Sequence, residues 1–206
     1  MADLAALLPK ALSQMDELLA VAEDPGPFPT TRTRVSGWTA LEHAEHMARA
    51  DEGELYQLEQ ALQRSGSDEP RSGSDEPRGR SGGQGSRSGR RPRGITLAGR
   101  GALALGWIPR GIGKAPEIAR PAGVDRAQVA ADLRRVREEI AALAPRLPEI
   151  AAGRGRASHP IFGGLTPAQW VRVLYVHHHH HLKIIRDIRR AFEAGAAAGL
   201  PRRPAA

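Results

Sequence analysis

The chain has 206 residues, a formal net charge of +7, 4% aromatic residues and no cysteine. Without thiols there is no disulfide framework, no thiolate metal site and no cysteine nucleophile, so any metal must be held by imidazole, carboxylate or water. The length suits a single domain over residues 1–206, and no apolar run approaches the roughly 20 residues of a membrane helix.

Leu4, Leu7, Leu8, Ala11, Met15, Leu18 and Leu19 recur at helical spacing and predict a first helix from Asp3 to about Ala22, ended by Asp24-Pro25-Gly26-Pro27. An acidic residue already at Asp3, with no basic-then-apolar leader pattern, gives the expectation of a cytoplasmic protein. A second helix starts near Trp38, capped by Ser36 or Thr39 with Glu42 as reciprocal partner. It runs through Leu41, Met47, Leu55 and Leu58 to about Gln63.

Residues 64–93 change character. Arg64-Ser65-Gly66-Ser67-Asp68-Glu69-Pro70 is repeated at once as residues 71–77, and a Gly/Ser/Arg-rich stretch follows. This segment carries eight arginines against four acids, which is more than half of the net charge. Lacking large apolar side chains, it cannot offset its ordering entropy and is expected to be a long disordered insertion. No aromatic residue is interleaved for base stacking, so the charge reads as a solvated, expanded loop rather than a nucleic-acid arm.

Ile95 to Ile112 is apolar but rich in glycine, which predicts a broken helix or a lid rather than a long helix. Residues 114–121 read as extended loop. Asp125 caps a third long helix through Val129, Leu133, Val136, Ile140 and Leu143, terminated around Pro145 to Pro148. A loop over His159 to Leu165 leads to Thr166, which caps a fourth helix with Pro167 at its first position and Gln169 as partner. Four amphipathic helices and no convincing strand predict an all-α four-helix bundle, whose interior is where facing helices assemble metal sites.

The fourth helix contains five consecutive histidines, His177 to His181, flanked by Leu174-Tyr175-Val176 and Leu182-Lys183-Ile184 in one unbroken helical pattern. That continuity argues against an expression tag, which is normally terminal and bordered by linker. The inward stripe runs Trp170, Leu174, His177, His181, Ile184 or Ile185, Ile188 and Phe192. Two imidazoles therefore interrupt the seam at i and i+4, a spacing that closes on one metal ion. Core histidines bonded to carbonyls or carboxylates would fit that spacing too. An open catalytic site needs a third ligand, and the remaining histidines are His43, His46 and His159. His43 and His46 lie one turn apart, and periodicity alone does not choose between them.

The segment Gly37-Trp38-Thr39-Ala40-Leu41-Glu42-His43-Ala44-Glu45-His46-Met47 resembles the second-helix signature of the DinB-like superfamily, in which an inward histidine follows the tryptophan by eight residues. His177 to Ile185 resembles the same family's His-x-x-x-His pair, and His159-Pro160-Ile161-Phe162-Gly163 its connecting loop, with Lys114-Ala115-Pro116 also fitting. The likeness covers both ends of the bundle but not residues 64–93. It implies an up-down-down-up bundle, a divalent metal on His46, His177 and His181, and often a homodimer. The full histidine run leaves His178 or His180 as alternative ligands.

Some related families transfer low-molecular-weight thiols such as mycothiol, bacillithiol or glutathione to electrophiles. The reading that follows is a thiol transferase or, alternatively, a hydrolase using zinc or nickel. A non-catalytic helical binding or stress-associated module is the reading outside enzymology. Glu42 or Glu45 would orient a ligand ring, unless they are caps or a solvated face, and His43 and His159 are candidate proton shuttles. Arg186, Arg189 and Arg190 read as a solvated helix face, and Trp38, Trp107 and Trp170 as core or pocket walls.

Overall fold

In the computed structural model, residues 3–66, 94–111, 115–123 and 125–197 are described. The elements in chain order are α1 (Leu4–Glu23), α2 (Ala40–Gly66), α3 (Leu97–Leu105), α4 (Arg126–Ala141), α5 (Leu147–Ala152), β1 (Ala157–His159), β2 (Gly163–Leu165) and α6 (Pro167–Ala197). The insertion predicted over 64–93 falls, from residue 67 onward, outside the described residues. Arg64 to Gly66 belong to the last turn of α2 instead.

The caps explain where the helices begin. The Asp3 carboxylate accepts the Ala5 N–H at 3.0 Å, and the Asp125 carboxylate accepts the Gln128 N–H at 2.8 Å. Thr39, not Ser36, caps α2: its hydroxyl accepts the Glu42 N–H at 3.1 Å while Glu42 accepts the Thr39 N–H at 2.6 Å. Thr166 and Gln169 form the same reciprocal pair at the start of α6. Each such cap satisfies an otherwise orphaned donor and contributes about 1 kcal/mol.

Ion pairs on the surface and carboxylate–imidazole contacts in the interior report how the four long helices run. Asp16 and Glu23 of α1 meet Arg137 and Arg134 of α4, so these two are antiparallel. Glu17 and Asp24 meet Arg186 and Arg189 in ascending order, so α1 and α6 are parallel. Glu52 and Glu59 on α2 pair in ascending order with Arg135 and Arg146, so α2 runs parallel to α4. On α2, Asp51 and Glu54 face His178 and His177 in descending order, so α2 and α6 are antiparallel. The result is the up-down-down-up bundle, closed around Met15, Leu18, Met47, Leu58, Leu133, Ile140, Leu174 and Ile188. Among the described residues no helix is long and apolar enough to cross a membrane.

The connections depart from the sequence reading in three places. The chain after Ala141 does not stop at the prolines but makes a 3-10 turn and then α5, because Pro145 and Pro148 sit in first turns where no N–H is needed. The expected loop 159–165 lies within a two-stranded hairpin whose strands have three residues each, too short to carry an alternating pattern. Within the 114–121 loop, Glu117–Ala119 forms a 3-10 turn, and Lys114 lies outside the described residues.

The region read as broken helix or lid is α3, ended by Gly106 in the left-handed conformation at φ 65°. Arg172 of α6 donates to the Leu103 carbonyl and ties α3 to the bundle. Gly155 is required by close approach: a Cβ there would meet the Ala61 carbonyl oxygen at 2.2 Å and the Ser65 nitrogen at 2.6 Å.

Candidate metal centre

Two helix faces make the floor of a cleft of about 410 Å³. On α2, His46, Gly53, Glu54 and Gln57 recur at helical spacing, and on antiparallel α6 so do Trp170, Val173, His177, His180 and His181. Residues of the 115–119 turn, the 158–162 hairpin and the Ile108 to Gly111 stretch form the walls.

The structure brings His46, His177 and His181 together, with one nitrogen of each within 4.8 Å of the other two. Ring centroids are 4.6 Å apart for His46 and His181, 4.8 Å for His177 and His181, and 5.4 Å for His46 and His177. Three nitrogens bound tetrahedrally at about 2.1 Å would sit about 3.4 Å from one another. Closing on one ion therefore needs a side-chain adjustment of no more than about 1.5 Å.

Each Nδ1 is already engaged. His46 Nδ1–H donates to the Ala119 carbonyl at 2.6 Å, which fixes its proton there and leaves the lone pair on Nε2. His177 Nδ1–H donates to Glu54 Oε1 at 2.8 Å. His181 Nδ1 lies 2.9 Å from His43 Nδ1, and His43 Nε2 lies 2.9 Å from Ser36 Oγ. With His181 donating to His43 and His43 donating to Ser36, the lone pair of His181 is also on Nε2. Outer partners of this kind set the tautomer and hold the ring orientation of metal-bound histidines.

The electrostatics suit a cation. Burial, helped by neighbouring His177, holds His46 down at about 4, and burial with the surrounding histidines keeps His181 well below the ordinary range. Both are therefore neutral near pH 7, the form that ligates. His177 differs: burial pulls it down, but the charge and hydrogen bond of Glu54, with Asp51 behind, outweigh that and raise it. Its Nε2 lies 3.1 Å from Nε2 of His181. A proton on His177 completes that contact, so the carboxylates stabilise positive charge where the rings converge. This donor set fits a divalent ion.

The remaining histidines separate by role. His43 does not line the cleft; it lies behind His181, edge-on to Trp38, and burial first, then His46, pushes it down to about 3. His178, absent from the inward stripe read in the sequence, is fully buried and places Nε2 3.0 and 2.9 Å from the two oxygens of Asp51. Among the alternative ligands it is thus turned away to Asp51. His180 does line the cleft, but its Nδ1–H donates to the Ile108 carbonyl at 2.9 Å. His179 stacks on Tyr175. His159 sits in the hairpin wall, stacked on Phe162 and tilted against Trp170.

Glu42 and Glu45 orient no ligand ring. Glu42 completes the α2 cap, and Glu45 accepts the N–H groups of Ala122 (2.6 Å) and Gly123 (3.2 Å). With Arg49 donating to the Ile118 carbonyl, Glu45 pins the loop whose Ala119 carbonyl holds His46. The carboxylates that face imidazoles are Glu54 and Asp51, both missed by the sequence reading. Their signal was present: Asp51 and Glu54 fall on the seam between Met47, Leu55 and Leu58, where an acid needs a partner. Trp38 and Trp170 line the cleft as expected, whereas Trp107 is 43% exposed. Arg186, Arg189 and Arg190 are surface residues, paired with Glu17, Asp24 and Asp187.

A search of curated proteins and a search of solved structures each found no match. The sequence model described as DinB superfamily matches residues 3–185, a span that holds α1, α2 and α4 whole, α6 as far as Ile185 and every histidine named above. On that match, joined to the bundle and its three converging imidazoles, the chain belongs to the DinB superfamily.

Proposed function

We propose that the protein is a cytoplasmic metal-dependent enzyme that transfers a low-molecular-weight thiol to an electrophile. The observation that carries this reading is the set of three imidazoles with every Nδ1 engaged by an outer partner, bordering one cleft. Three protein ligands leave a coordination position for a small molecule, the pattern of a catalytic rather than a closed structural site. Zinc or nickel suits an all-imidazole donor set. When bound, the ion supplies a Lewis acid that lowers the pKa of a thiol or a water toward neutrality.

The chain's own residues do the rest. His46, His177 and His181 position the ion, while Ala119, Glu54 and His43 hold those rings in register. Trp38, Ile118, Ile161 and Phe162 give the cleft apolar walls that exclude water from the reacting sulfur. Because the chain has no cysteine, the sulfur must arrive on a cosubstrate. A reducing compartment keeps such thiols available.

The test pairs metal analysis with turnover. Untagged protein is expected to hold one divalent ion, lost in both His46→Ala and His181→Ala. Glutathione, bacillithiol and mycothiol, each offered with an electrophile, should be consumed only by metal-loaded protein. Retention of stoichiometric metal by either variant refutes the ligand set. Turnover of the electrophile without any thiol moves the assignment to a hydrolase.

A further inference from the structure

The turn after β1 needs a side-chain acceptor, the job that Asn, Asp, Ser or Thr usually performs by receiving backbone N–H groups two or three residues on. Here the residue is His159, whose Nδ1 accepts the N–H groups of Ile161 and Phe162, both at 3.1 Å. A backbone N–H can only donate, so Nδ1 keeps its lone pair and the ring proton sits on Nε2. Stacking on Phe162 at 4.4 Å and 12° fixes the ring plane. Burial holds the group down at about 4, with Glu54 pulling it up and His177 pushing it further down, so the ring is neutral.

Protonating Nδ1 would set a hydrogen against two N–H groups. The ring therefore has no free lone pair with which to carry protons, and the proton-shuttle role expected from the sequence gives way to that of a donor. The ring lines the same cleft as the three converging imidazoles, among Ile161, Phe162 and Trp170. Among the described residues no group accepts from its Nε2–H. His159 is half-buried, so in the free protein that N–H faces the cleft and its water, which an acceptor on a bound ligand would displace.

We propose that His159 is a fixed, neutral hydrogen-bond donor that binds a carbonyl or carboxylate oxygen of the electrophilic substrate. The substrate's being an electrophile rests on the thiol-transfer reading; the donor role does not. An asparagine would have served the turn alone, whereas histidine serves the turn and adds a distal N–H.

That difference supplies the test. His159→Asn keeps an acceptor oxygen near the Nδ1 position and removes the distal donor; His159→Gln restores an N–H near the Nε2 position. In histidine-15N-labelled full-length protein, the resonances lost in His159→Asn should show a protonated Nε2 and an unprotonated Nδ1. Millimolar succinimide, which offers carbonyl oxygens but cannot react, should shift that Nε2–H. An Nδ1–H tautomer, or no movement with succinimide, overturns the proposal.

The second arm compares iodoacetamide with iodoethane, using whichever thiol the protein consumes. In both, the S–C bond forms as C–I breaks, iodide leaves with the electron pair and the thiol proton goes to solvent. Only iodoacetamide has a carbonyl to bind. His159→Asn should lower kcat/KM for iodoacetamide about tenfold, the loss of one hydrogen bond, and leave iodoethane unchanged, with His159→Gln recovering part of the difference. Equal loss on both substrates overturns the proposal. If no thiol is consumed, the thiol-transfer reading fails while the succinimide measurement still decides the role of His159.

Discussion

Glu54 is the carboxylate on which the metal centre leans most directly, and its removal gives the sharpest check of the site. It is 6% exposed, and its Oε1 takes the Nδ1–H of His177 at 2.8 Å. Glu54→Ala leaves that N–H without its partner, frees the ring to rotate or change tautomer, and removes the negative charge that raises His177. Loss of an outer partner of this kind lowers metal affinity about 10- to 100-fold, or about 1.4–2.7 kcal/mol. Glu54→Ala belongs at the upper end, because it removes the acceptor and the negative charge together. Glu54→Gln keeps an oxygen for the N–H but not the charge, and belongs at the lower end. The assay is zinc titration of metal-free protein against a competing chelator, with thermal melts to confirm folding and Glu59→Ala as a surface control. A folded Glu54→Ala protein that binds zinc as tightly as the wild type would refute the claim that His177 is a ligand held by this carboxylate.

Three further outcomes follow from the packing. Asp51→Leu or His178→Leu alone leaves a fully buried polar partner stranded and should cost about 3–5 kcal/mol in urea melts, whereas the double leucine variant should recover most of it. Additive single costs would show that the two side chains do not act as a pair. Gly155→Ala drives a methyl into the backbone of α2 and should destabilise by about 1–3 kcal/mol, and an unchanged melting temperature would mean the 155–156 segment is not packed there. The third concerns acid. His43 and His46 have folded values of about 3 and about 4 against about 6.5 unfolded, so below pH 6.5 the unfolded chain binds more protons. Stability is therefore present in full above pH 6.5 and falls as pH drops from 6.5 toward 4, by up to about 1.4 kcal/mol per pH unit for each such ring. Raised His177 opposes this by a single proton. A metal-free protein whose urea midpoint is flat from pH 7 to pH 5 would contradict the buried neutral rings.

Much of the bundle was legible because its signals are local. Thr39 with Glu42, Asp125, and Thr166 with Gln169 mark helix starts through bonds spanning three residues, and the apolar stripes mark the faces that must meet. Where the reading failed, a local signal was weak or had a second use. Pro145 and Pro148 resemble a terminator, yet in first turns they are compatible with new helical segments. The strands β1 and β2 hold three residues each, and their pairing depends on a turn stapled by a histidine ring. His43 and His46 could not be separated by periodicity because both are buried, one against the cleft and the other behind it. The family resemblance pointed to His46, and the antiparallel approach of α6, which sets His181 between them, gives the physical reason one is ligand candidate and the other outer partner.

The histidine run carries the more general lesson about buried polar residues. Tracing a single stripe on α6 admits His177 and His181 and leaves His178 off it. But α6 packs along two long helices, α1 and α2, and a helix so placed buries more than one stripe. The answer lay on the other helix. A carboxylate on an apolar seam is too costly to leave unpaired, so Asp51 and Glu54, one turn apart between Met47 and Leu58, called for two partners on whichever helix faced them. Antiparallel packing presents two adjacent histidines there, His178 for Asp51 and His177 for Glu54. One carboxylate locks the register of the two helices deep in the core; the other aims a ring into the cleft. A seam acid and a seam histidine are each ambiguous alone, but together they specify the register in which α2 and α6 must meet, and that register is what delivers His46 to His177 and His181.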